Sequence, residues 1–203
     1  MPHFKMPDGE QLYVRIIGRG ESVLVLSGLG MQSWQWLPYL ATNLNKFQFI
    51  IPDWRGFGGS KNCAIPQDLN AIENHWRDVK TLIEQLKLEQ FILMGYSMGA
   101  TTSMHGFRYG DLASKIKAYL HIDQTPKISC DESWRYGLMG DKHPQFKQLL
   151  ASLDDFLSQR VSIQYIDELS TQDHQDLTEM WLKFISLQAS DNMTPKIFKL
   201  AFN

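Results

Sequence analysis

Short, continuous apolar runs at residues 22–28 (SVLVLSG), 47–53 (FQFIIPD), 91–96 (FILMGY) and 115–123 (KIKAYLHID) constrain this chain more than any other feature. A strand buried on both faces reads as such a run, bounded by glycine or proline and too short for an ordinary helix. Helical spacings lie between them. Trp36, Leu37, Leu40 and Leu44 form one, with Pro38 near its start. Ile72, Trp76, Val79, Ile83 and Leu86 form a second, with Asp68 as the expected N-cap. Buried strands alternating with helices predict an α/β fold, a mostly parallel sheet with helices on both faces. Residues 11–18 (QLYVRIIG) alternate and follow Asp8-Gly9, which predicts one arm of a hairpin.

The texture changes after Pro126. Residues 144–160, 173–190 and 194–203 carry helical patterns, the last opening on Thr194-Pro195, and no further buried strand is evident. The expected organisation is an α/β core over 1–123 and a helical cap or lid over 124–203. The net charge is −2 without a block of like charges, so nothing in the electrostatics points to nucleic acid or an anionic membrane. No run reaches the roughly 18 apolar residues of a membrane span, and the N-terminus lacks the apolar core of a secretory signal. Cys63 and Cys130 lie far apart and make no metal pattern, so both are expected as free thiols and the chain as cytoplasmic.

The chemistry concentrates at Gly95-Tyr96-Ser97-Met98-Gly99, between an apolar run and a helical one. A serine on so tight a strand-to-helix turn is lifted above the sheet edge, and its flanking positions have no room for a β-carbon. The backbone N–H of Met98, at the following helix N-terminus, is then aimed where negative charge develops. A second loop, Ser27-Gly28-Leu29-Gly30, follows an earlier buried run, and the Leu29 N–H is a candidate second donor. Residues 52–60 (PDWRGFGGS) predict a rigid loop in which Asp53 and Arg55 make charge-assisted hydrogen bonds, a structural role. Trp34, Trp36, Trp134 and Trp181 are available for an apolar pocket.

These segments, in this order, resemble the α/β-hydrolase superfamily over residues 10 to about 140. "LSGLG" stands where that family has its oxyanion loop, "IPDWRGFGGS" at its D-x-R-G-x-G-x-S loop and "GYSMG" at its nucleophile elbow. Residues 121–138 are similar to small bacterial esterases and haloperoxidase-like hydrolases. The resemblance implies a serine hydrolase with Ser97 as nucleophile, Leu29 and Met98 as oxyanion donors, and neither metal nor organic cofactor. Two departures stand out. Ser27 occupies a position where the family commonly has histidine, and the family's acid and histidine follow further strands beyond the cap. The chain is therefore expected to be C-terminally incomplete, or to use the fold for binding.

Chain order in such enzymes is nucleophile, acid, histidine. Four histidines follow Ser97. His105 lies eight residues along the same helix, about 12 Å away at 1.5 Å per residue. His121 and the candidate acid Asp123 are two apart in a strand, which predicts one face for both and a packed core histidine at 121. His143 and His174, at helix starts, are expected in solvent. Incompleteness would leave the 117–123 strand a bare apolar edge and favour a homodimer through it. The expected activity is hydrolysis of small carboxylic esters through an acyl-enzyme on Ser97. The alternatives are a non-catalytic ligand-binding or signalling module, or a cofactor-free oxygenase-like protein. Dehalogenation is disfavoured by serine at the elbow.

Overall fold

A computed structural model describes residues 2–66, 68, 70–160, 162 and 168–188. The chain divides into two compact units, Met1–Pro126 and Lys127–Asn203. In the first, six strands form one sheet in the order β1-β2-β4-β3-β5-β6. They are β1 (His3–Lys5), β2 (Gln11–Gly18), β3 (Glu21–Leu26), β4 (Phe47–Pro52), β5 (Phe91–Tyr96) and β6 (Ile116–Ile122). The hairpin β1/β2 and the pair β2/β4 are antiparallel, while β4, β3, β5 and β6 run parallel. Helix α1 (Leu37–Leu40) is flanked by 3₁₀ turns; α2 (Ala71–Gln85), α3 (Met98–Tyr109) and α4 (Leu112–Lys115) complete the unit.

Strand periodicity sorts the apolar side chains into two cores. Leu24, Leu26, Ile50 and Leu93 pack with Trp76, Val79, Leu82 and Ile83 of α2. Val23, Val25, Phe49, Ile51 and Met94 pack with Trp36 and Leu40 on the other face. Successive residues of one strand serve opposite layers, which is why the runs carry no polar alternation.

The chain departs from expectation at the start of α2 and along β6. Helix α2 begins at Ala71 with Asn70 as N-cap, not at Asp68. The Asp68 carboxylate instead accepts from the Asn70 N–H (3.3 Å) and the Asn74 side chain (2.6 Å), an Asx-type turn that forestalls capping. The run at 115–123 does not make a buried strand: Lys117, Ala118, Leu120 and His121 are exposed, because β6 ends the sheet and, among the described residues, pairs only with β5. For the same reason His121 is an exposed residue and not a core one.

The second unit contains α5 (His143–Ser158) and α6 (Thr171–Gln188). Phe146 of α5 meets Phe184 of α6 with ring centroids 6.0 Å apart, and Trp181 stacks on Phe184. His143, expected in solvent, is buried. Its Nδ1 donates to the Leu138 carbonyl (3.0 Å) and its Nε2 faces the Cys130 N–H (3.4 Å). Those partners come from the preceding loop, which folds back over the helix start. His174 is exposed, as expected. The Trp134 indole donates to the Lys127 carbonyl (3.0 Å). The helix expected over 194–203 lies outside the described residues. Among the described residues there is no cluster of metal-ligating side chains, and no helix is long and apolar enough to cross a membrane.

Candidate active site

Register brings the two candidate loops together. Leu26 of β3 pairs with Gly95 of β5, and Tyr96 pairs with Ile122 of β6, so three parallel strands end level. Two residues beyond Gly95, Ser97 turns the chain with φ 50° and ψ −117°, a backbone state that costs a non-glycine residue about 1–3 kcal/mol. Ser97 is partly exposed. Its N–H donates to the Ile122 carbonyl (3.0 Å), and its carbonyl accepts from Ala100 and Thr101 in the first turn of α3.

The flanking glycines are sterically required. A β-carbon at Gly95 would stand 2.8 Å from Ala100 Cα, and one at Gly99 would collide with the Leu26 carbonyl. Gly28 lies against the same turn: a β-carbon there would come within 3.1 Å of the Tyr96 ring and 3.4 Å of Ser97 Cβ. A turn from Gly28 to Met31 (3.2 Å), with Gly30 at φ 73°, carries Leu29, which is 70% exposed. Met98 opens α3, so its N–H has no carbonyl one turn back. Ser27 is fully buried and organises this loop, its Oγ accepting from the Trp36 indole (3.0 Å) and its carbonyl from the Trp54 indole (2.9 Å). Trp36 in turn meets the Tyr96 ring edge-on at 6.1 Å, and Trp34 is half exposed.

The loop at 52–60 is tied down by two charges, as its sequence indicates. Asp53 is buried and accepts from the Ser33 N–H (2.5 Å) and the Gly59 N–H (2.8 Å). Arg55 makes a two-pronged bond to Asp78 of α2 (2.7 Å each) and donates to Asp8 (2.5 Å) and the Ala64 carbonyl (3.0 Å). The Asp78 bonds, opposed by burial, push the guanidinium's pKa further up.

The histidines of the first unit are engaged elsewhere. His3 meets Tyr13, His105 meets Tyr109, His75 packs on Trp54, and His121 bonds Tyr119 and the Gln124 carbonyl. Asp123 is exposed and sits just past β6 at φ 51°. That left-handed residue ends the strand alternation at Ile122, so the shared face expected for His121 and Asp123 does not follow.

The α/β hydrolase fold family matches this chain over residues 21–202. The chain belongs to that family. It is similar to the AB hydrolase superfamily protein YisY of Bacillus subtilis, 29% identical over 141 residues, 68% of this chain and 51% of that one. It is 31% identical over 118 residues to the serine hydrolase BPHL of Homo sapiens, 56% of this chain and 38% of that one. Among solved structures, an esterase (EaEST) from Exiguobacterium antarcticum superposes with a TM-score of 0.60 at 23% identity, over 79% of this chain and 57% of that one; at that identity the likeness concerns the fold. The chain spans about half or less of the length of these curated relatives.

In this α/β-hydrolase unit the titration of His75 bears on stability. His75 lies 4.4 Å from the Trp54 ring, and burial first, then the Arg55 charge, lowers its pKa to about 4. The unfolded chain binds a proton near pH 6.5 that the native state refuses, so His75 makes stability fall as pH drops from about 6.5 toward 4, by up to roughly 3 kcal/mol. His75→Phe keeps a ring on Trp54 and removes the proton. Urea melts of both proteins at pH 7 and pH 4.5 are expected to show the smaller acid loss in the variant.

Proposed function

We propose that this chain carries the nucleophile and oxyanion elements of a serine hydrolase acting on small, uncharged carboxylic esters. The observation that carries the reading is the strained Ser97 between two obligatory glycines, with the Gly28 loop packed against it. Ser97 Oγ attacks the ester carbonyl, and its proton goes to a general base and then to the departing alcohol. Water next releases the acid from the acyl-enzyme. The N–H groups of Leu29 and Met98 hold the oxyanion, helped by the α3 N-terminus. Asp123, next to the residue that binds the Ser97 amide, is the candidate acid, and Trp34 is a candidate apolar pocket residue. Likeness to a serine hydrolase supports this reading. Among the described residues of the first unit no histidine is hydrogen-bonded to Ser97. These residues alone therefore supply oxyanion stabilisation and binding, far less than a full triad.

A fluorophosphonate probe tests the reading. One adduct on the peptide containing Ser97 is the expected result. No adduct, together with thermal stabilisation by a non-hydrolysable ester analogue, would assign the fold to binding instead.

A further inference from the structure

A strained residue persists only where its surroundings over-determine it. On the β3 side the turn is packed closely, since a β-carbon at Gly99 would collide with the Leu26 carbonyl. On the other side stands β6, which ends the sheet among the described residues; Ile116, Tyr119 and Ile122 pack inward, and its remaining residues are exposed. Three hydrogen bonds add to that packing, each reaching a different residue at the start of α3. The Ser97 N–H donates to the Ile122 carbonyl (3.0 Å), Tyr119 Oη reaches the Ala100 carbonyl (3.4 Å), and Gln124 Nε2 donates to Thr101 Oγ1 (2.9 Å).

The Gln124 bond is the only side-chain-to-side-chain link of the three, and it is itself oriented. Gln124 Oε1 accepts from the Thr125 N–H (2.9 Å), which turns the amide nitrogen toward Thr101. His121 Nε2 donates to the Gln124 carbonyl (2.7 Å), and His121 Nδ1 accepts from Tyr119 Oη (3.0 Å), so the longer Tyr119–Ala100 contact shares that one hydroxyl proton. Asp123 lies between Ile122, bonded to Ser97, and Gln124, bonded to Thr101 in the first turn of α3, so the same ties locate its backbone. We propose that Gln124, acting through Thr101 and steadied by His121, is a positioning residue that holds Ser97 in its strained conformation. The claim rests on reading Ser97 as the nucleophile for its catalytic meaning, and on geometry alone for the clamp.

Amide hydrogen exchange of the full chain, followed by NMR, reads the clamp without requiring turnover. Gln124→Ala and Thr101→Val are each expected to speed exchange of the Ser97 N–H about fivefold or more, the effect of losing one hydrogen bond. Thr101→Ser, which keeps the hydroxyl, should stay within about twofold of the parent, and fluorophosphonate labelling rates should fall in the same order. Amides of Leu24 and Leu93 in the central strands should not change. Unaltered Ser97 exchange in the first two variants overturns the proposal. So does faster exchange at Leu24 and Leu93 as well, because the effect is then global. A parent chain that never labels sinks the nucleophile reading, while the exchange result still decides the clamp.

Discussion

Replacing Asp78 by Ala is expected to destabilise the first unit by about 3–5 kcal/mol, read as a lowered urea midpoint by tryptophan fluorescence. Arg55 and Asp78 have side chains only 6% and 3% exposed and meet through two 2.7 Å bonds. Removing the carboxylate leaves a guanidinium in the interior. Its remaining partners are the Ala64 carbonyl and Asp8, whose side chain is 47% exposed and offers a screened charge. Arginine cannot shed its proton to escape. The double change Arg55→Met with Asp78→Leu removes both charges and should recover most of the loss, since an apolar pair of similar volume is often neutral or better. A double variant as unstable as Asp78→Ala would mean that the loop geometry, and not the unpaired charge, sets the cost.

That pair also marks how far the sequence could be read. The four apolar runs at 22–28, 47–53, 91–96 and 115–123 located parallel strands because periodicity is local, and Gly95 and Gly99 were legible because a tight turn leaves no room for a β-carbon. Arg55 was legible as an anchor through its glycine-rich loop, but Asp78 was not. It sits on the buried face of a helix whose apolar stripe is marked by Trp76, Val79 and Ile83, and its partner is 23 residues away. Burial failed for a related reason. Nothing in "KIKAYLHID" states that its strand has a neighbour on one side only, so His121 read as core; nothing in "DKHPQF" states that the Leu138 carbonyl and Cys130 return to cover His143. Asp68 misled because a local Asx turn competes with capping and has the same sequence signature. The Gln124–Thr101 bond left no signal at all, since neither residue type is unusual in a turn or a helix.

Ser97→Gly is expected to abolish fluorophosphonate labelling completely and, unlike most losses of a functional side chain, to make the protein more stable by about 1 kcal/mol. The two effects share a cause. At φ 50° and ψ −117° the β-carbon of Ser97 is strained against its own backbone, a cost of about 1–3 kcal/mol that glycine does not incur. Glycine gives back roughly 0.5–1 kcal/mol through the greater freedom of the unfolded chain, so the net gain is small but positive. Ser97→Ala separates the terms: it also ends labelling, yet it retains the β-carbon and the strain, so its melting temperature should stay near the parent's. A structural serine predicts another pattern, because deleting a hydroxyl that matters to packing would lower stability in both variants. If glycine at 97 fails to raise the melting temperature above that of alanine, the turn stores no strain at this residue. Serine at 97 is then not held against its conformational preference.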